Sequence, residues 1–226
     1  ASDAPGARAL LLAALESEPG ALHGLRSVVR SAFAESELER YRLDGADVIR
    51  RFEASGHAYE GAPRVLVLDY TVTRLFADGS TLELTHNIIR VQSDEAAESE
   101  AQFSPPEDAE ILTLRTVNAD GTRLEPDAIA GLEHVELPGV EPGDYVEFEY
   151  LRMTPPHPSY GGGAVGPRFY FQNFETPFDW STLTLIAPAE VEIVVDPRGP
   201  APTTEARAEG SLRIYQWQVH QSMPLV

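Results

Sequence analysis

The chain changes its hydrophobic period once, near residue 60. Before that point apolar residues recur at three and four residue spacings: Leu10, Leu11, Ala14 and Leu15, then Leu22, Leu25, Val28, Val29 and Phe33, with "EPG" at 18 to 20 breaking the run. Ser36 followed by Glu39 has capping-box spacing. A third helical stretch through Val48, Ile49 and Phe52 is expected to stop near Gly56. Residues 8 to 53 therefore read as helical, an antiparallel pair with a connector.

From about residue 62 the period becomes two. In "RVLVLDYTVTRLF", Leu66, Leu68, Tyr70 and Val72 alternate with Val65, Val67, Asp69 and Thr71; Asp78-Gly79 then offers a pair that tolerates positive φ, and "TLELTHNIIRV" returns as a partner strand. Further strands are expected at 110–117, 145–153, 168–174, 181–188, 190–195 and 212–219. Asp120-Gly121, "PGVEPGD" and "DPRGP" punctuate them as turns. Many short strands without intervening helices predict a mainly β fold, an antiparallel β-sandwich preceded by a short α-helical segment. The expected division is a helical segment over 1–56 and a β-sandwich domain over 57–226.

Composition narrows the chemistry. Hydrophobic residues make up 42% of 226 residues, enough for a substantial core. There is no cysteine, so disulfides, thiolate metal sites and a cysteine nucleophile are excluded from this sequence. A net charge of -19, from 36 acidic against 17 basic residues, repels phosphate backbones, and nucleic acid is not expected as a partner. Every basic residue is arginine, which excludes a Schiff-base lysine. No apolar run reaches the length of a membrane span. The apolar "ALLLAAL" follows "ASDAPGAR" without a starting methionine and reads as a helix, not a signal peptide, so both termini are expected to be cut from a longer protein.

The phrases "LFADGSTLELTHNIIRVQSDEAAES", "ILTLRTVNADGTRLEPDAI", "LPGVEPGDYVEFEYLRM" and "FYFQNFETPFDWSTLTLIAPAEVEI" follow one another in an order that resembles a domain of unknown function found directly upstream of bacterial transglutaminase-like catalytic domains. The resemblance runs from about residue 62 to the end. It implies a mostly β sandwich, preceded by helical repeats, in a bacterial protein acting outside the cytoplasm. It also implies a following papain-like domain carrying a Cys, His, Asp triad. "LLAALESEPGA" resembles one unit at the end of a tetratricopeptide array, without that family's aromatic positions.

Candidate sites are few. His86 shares strand parity with Leu82, Leu84 and Ile88 and is expected on the buried face as a core histidine. No "G-x-S-x-G" provides a serine nucleophile for it. His23, His57, His134, His157 and His220 stand singly, without "H-E-x-x-H" or "H-x-H" spacing. The acidic runs Asp94, Glu95, Glu98, Glu100 and Glu107, Asp108, Glu110 lack a calcium-loop pattern and read as solvated faces or loops. Gly161, Gly163 and Gly166 have dinucleotide-fingerprint spacing, but prolines flank them where a strand and a helix are needed. Glu147 and Glu149 share one strand face, expected to be the wet one, with Val146, Phe148 and Tyr150 inward. The rings of Phe169, Phe171, Phe174, Phe178 and Trp180 are expected mainly in the core.

The expected function is a noncatalytic accessory module, with no catalytic, cofactor or metal residues of its own. Its expected partner is a downstream catalytic domain of the same chain, or another protein or peptide docked by strand addition. Two alternatives compete with it: a carbohydrate-binding module using the aromatics at 169–180, and a stand-alone acid/base hydrolase using paired carboxylates.

Overall fold

The computed structural model describes residues 4–17, 25, 29, 38–127, 134–160, 164–166, 168–199 and 202–225. Helix α1 spans Ala4–Ser17 and α2 spans Gly45–Ser55, with a 3-10 turn at Glu39–Tyr41 between them. The second expected helix and the Ser36 cap lie largely outside the described residues. α2 begins as its sequence dictates: Asp44 is the N-cap, its carboxylate accepting from the Ala46 backbone N–H at 2.9 Å. It ends at Gly56, whose φ of 71° is the left-handed cap a glycine supplies without strain.

Strand β1 (Arg64–Leu75) and β2 (Thr81–Val91) form the expected hairpin. Gly79 takes a φ of 85° in the turn, and the Asp78 carboxylate accepts from the Ser80 backbone N–H at 2.9 Å. After α3 (Asp94–Glu100) come β3 (Gln102–Phe103), β4 (Ala109–Val117), β5 (Arg123–Leu124), β6 (Val135–Glu136), β7 (Tyr145–Thr154), β8 (Phe178–Pro188), β9 (Thr203–Glu209) and β10 (Leu212–Ser222). Eight strands make one sheet in the order β5-β4-β7-β2-β1-β8-β10-β9, and β3 pairs with β6 separately. The fold is mainly β, as the pattern predicts. One pair departs from the antiparallel rule: β1 and β8 run parallel, Leu66 facing Phe178 and Arg74 facing Ile186.

Strict alternation fails in β1 for a local reason. A bulge between Leu66 and Leu68 inserts a residue, so Val65 and Val67 on one side of it and Leu68, Tyr70 and Val72 on the other enter the same core. That core also takes Leu38 and the α2 residues Val48, Ile49 and Phe52, so α2 packs on the sheet through its apolar stripe. A smaller cluster of Val91, Ala96, Ala97, Leu114, Val135, Leu137 and Val146 joins α3 and β6 to the other strands.

Two further expectations are corrected. Residues 168–174 are not a strand, and 190–195 leave β8 through a turn in which Val191 N–H donates to the Pro188 carbonyl, so their alternation finds no partner. Conversely, "TTEARAE" forms β9, an exposed edge strand held to β10 by its backbone, with few β-favouring side chains to announce it.

Candidate functional site

His86, Arg115, Glu147 and Glu149 of the sheet converge beneath α2. His86 faces Glu149 across the β2–β7 pair, and Ile88 faces Glu147; Arg115 of β4 lies opposite Glu147, and Thr113 opposite Glu149. His86 is 1% exposed, as its parity predicts. Glu147 and Glu149 are 2% exposed, which corrects the expected wet face: β7 is buried on both sides, and its carboxylates lie on the helix-covered one.

Burial of two carboxylates demands partners, and the chain supplies them. Glu147 accepts from His86 Nε2 at 3.0 Å and from Arg115 Nε at 2.7 Å. Glu149 is held in a two-toothed grip by Arg42, Nε to Oε1 at 2.9 Å and Nη2 to Oε2 at 2.6 Å. Burial works against the ionised form of Glu147, but hydrogen bonds from His86 and Arg115, together with their charges, outweigh it and hold the carboxyl below its usual range. The first residue of α2 completes the enclosure. A Cβ at Gly45 would sit 2.0 Å from Glu147 Oε1, so only glycine lets the helix N-terminus approach this carboxylate.

This arrangement suits structure better than turnover. Both oxygens of each carboxylate are engaged and shielded, so neither can protonate a leaving group or activate water at a bound substrate. Among the described residues, His86 Nδ1 has no hydrogen-bond partner.

A second constellation went unseen in the sequence. Where α2 leads into β1, His57 Nδ1 donates to Asp179 Oδ1 at 2.9 Å, and the Tyr59 hydroxyl donates to the same oxygen at 2.7 Å. Gln221 covers the other ring nitrogen, Nε2, at 2.6 Å. Burial, followed by the bond to Asp179, pushes the Tyr59 phenol above its ordinary range. The group ties the end of α2 to β8 and β10. No sequence signal links residues so far apart, since His57 stands alone beside a helix-ending glycine.

The aromatic stretch meets the expectation in part: Phe178 is buried in the core at 6% exposure and Trp180 packs against it, but Phe174 does not. Phe174 is 78% exposed and Tyr170 64%, while Phe169 and Phe171 pack edge to face at 4.8 Å and Trp180 is half-buried against the core. Leu225 N–H donates to the Asn173 carbonyl at 2.8 Å, and Gln172 donates to the Met223 carbonyl, which ties the segment of exposed Met223 and Leu225 to the one that carries Phe174. The acidic run at 94–100 is α3, capped by Ser93, with Ala96 and Ala97 inward and Glu100 paired to Arg64. His134 bonds Ser104 at 2.8 Å, His157 stacks on Tyr160, and His23 lies outside the described residues. Gly161 and Gly163 do as well, and Gly166 is in irregular chain. Among the described residues no three metal-ligating side chains cluster, and no helix is long and apolar enough to cross a membrane.

Residues 132–226 match DUF3857. This family model is described as a domain of unknown function with solved structure. The DUF3857 stretch takes in β6 to β10, and so includes Glu147, Glu149, Asp179 and the exposed aromatics, while His86 and α2 lie before it. No curated protein matches the chain. A candidate protease from Parabacteroides distasonis shares the fold at a TM-score of 0.54 and 15% identity, over 72% of this chain and 36% of that one. The chain thus spans about a third of the length of that structure. An M1 zinc metallopeptidase from Deinococcus radiodurans aligns at a TM-score of 0.38 and 10% identity, over 69% and 39%.

Proposed function

We propose that this chain is a noncatalytic interaction module of a larger, transglutaminase-like protein, and that it docks through the apolar surface around Phe174. One observation carries the reading. The buried carboxylates Glu147 and Glu149 are spent on His86, Arg115 and Arg42 inside the fold, while Tyr170, Phe174, Met223 and Leu225 are 64%, 78%, 58% and 45% exposed in two segments joined by hydrogen bonds. Large apolar side chains grouped on a surface mark a place where another surface packs. The partner is a catalytic domain of the same parent protein or a separate protein. The fold likeness to a longer chain described as a candidate protease supports a parent of which this module is one part.

Two measurements test this. Purified chain incubated with peptide amides and with amine acceptors should show no turnover; sustained turnover sinks the noncatalytic reading. In the parent protein, Phe174→Asp should speed limited proteolysis between this module and its neighbour. Unchanged cleavage sinks the docking reading. The alternative of a sugar groove across 169–180 retains one supporting observation, that Tyr170 and Phe174 face solvent when a core role would bury them.

A further inference from the structure

A groove of about 370 Å³ lies on the β9–β10 pair at the edge of the sheet, within the size range of small-ligand sites. Pro202, Thr203, Glu205, Gln216, Gln218, Val219 and His220 line it. Register explains why the polar ones gather. Gln216, Gln218 and His220 alternate along β10 onto one sheet face, Gln216 opposite Glu205 and Gln218 opposite Thr203. On the inner side Gln218 pairs with Thr182 and His220 with Trp180 of β8.

Three features give the groove a chemical character. The His220 ring stacks on Trp180, centroids 6.1 Å apart and planes within 15°, and the Gln218 amide bonds the same imidazole, so the ring is fixed in orientation. Trp180 in turn packs against the main core. Two primary amides side by side each present a donor and an acceptor, which is the complement of neighbouring hydroxyl groups. Behind them, Trp180 Nε1 and Thr182 Oγ1 are buried without hydrogen-bond partners among the described residues. Neither atom lines the groove, so contact with a ligand falls to the amides and the imidazole.

The geometry points to a binding site for a neutral polyhydroxylated ligand, an oligosaccharide, on the β9–β10 face, with Gln216, Gln218, His220 and Glu205 as its polar contacts. Charge selects the neutral class. With Glu205 in the wall and a net charge of -19, an anionic sugar or phosphate is repelled, and among the described residues no arginine lines the groove to reverse this. The site shares no residue with the Phe174 surface, which adjoins the end of the same strand through Met223 and Leu225.

The test is an NMR titration of isotope-labelled chain with neutral hexasaccharides, namely cello-, xylo-, malto- and chitohexaose, beside hexagalacturonate as the anionic probe. At least one neutral sugar should give saturable shifts at the Gln216 and Gln218 side-chain amides, and hexagalacturonate none. Gln216→Ala with Gln218→Ala should weaken binding at least tenfold while the melting temperature holds. His220→Ala, at an exposed position, gives the same readout if the double variant fails to fold. No saturable shift with any neutral sugar, binding that survives both variants, preference for the anionic probe, or shifts confined to Tyr170 and Phe174 would each overturn the assignment.

Discussion

The sheet has two unlike halves. Around β2, β7 and β4, under α2, the two buried carboxylates are matched: Glu147 by His86 and Arg115, Glu149 by Arg42. Around β8, β10 and the segments beside them, large rings and amides meet solvent, and the edge strand is exposed along its whole length. The first half uses its reactive groups to specify one packing; the second leaves its contact groups available. Chemistry-bearing residue types are therefore a poor guide to function in this molecule, and exposure is a better one.

The contrast is most directly broken by removing a partner from the paired half. Arg115→Ala leaves the buried Glu147 carboxylate without its arginine partner, and should cost about 3–5 kcal/mol in urea unfolding. A loss below about 1 kcal/mol would mean that the ion pair is incidental. The same pair sets acid behaviour. A carboxyl held below its usual range in the fold contributes stability that is present above its unfolded value and lost as pH falls through its folded value. The wild-type chain should therefore lose stability in acid, and Glu147→Gln should flatten that limb of the curve.

Next in size is Gly45→Ala. It drives a Cβ into the Glu147 carboxylate and should cost about 1–3 kcal/mol through displaced packing, whereas Gly61→Ala meets no neighbour and differs only in backbone strain. Equal melting temperatures for Gly45→Ala and wild type would deny the close approach. Arg42→Ala, whose side chain is partly exposed, should cost about 1–3 kcal/mol, since water can reach part of the vacated space.

A smaller, opposite effect is expected at Asp69, on the other sheet face. Burial pushes its carboxyl up to about 6, against a lowering bond from the Ser181 hydroxyl at 2.7 Å. Its folded value exceeds its unfolded one, so the stability it contributes is complete below the ordinary value of 3.8 and is lost as pH rises through about 6. Asp69→Asn should match wild type in acid and exceed it by a few degrees in melting temperature above neutrality. A constant gap at all pH values would refute the shift. Last, Phe174→Ser should change stability by no more than about 0.5 kcal/mol, because its ring is already in water; a large loss would move it into the structural half.

Period and turn chemistry carried much of the fold. The Asp78-Gly79 and Asp120-Gly121 turns, the β1–β2 hairpin and the end of α2 at Gly56 all follow from local rules. The bulge at Leu66/Leu68 was hidden because one extra residue flips parity without altering composition. β9 was hidden because an edge strand needs only its backbone. The burial of Glu147 and Glu149 was illegible for a different reason: alternation says which residues share a face, and only the tertiary position of α2 and Arg42 says which face is dry. His57 and Asp179 illustrate the same limit, since their pairing depends on β8 lying beside β1.

That adjacency also orders events in time. An antiparallel partner for β1 is made within a few residues, but its parallel neighbour β8 arrives about a hundred residues later. At ribosomal speeds this is a delay of roughly five to twenty seconds. Through that interval one flank of a valine- and leucine-rich strand has no native mate, so nascent chains should depend on chaperones most before Phe178 emerges and much less once β8 has docked.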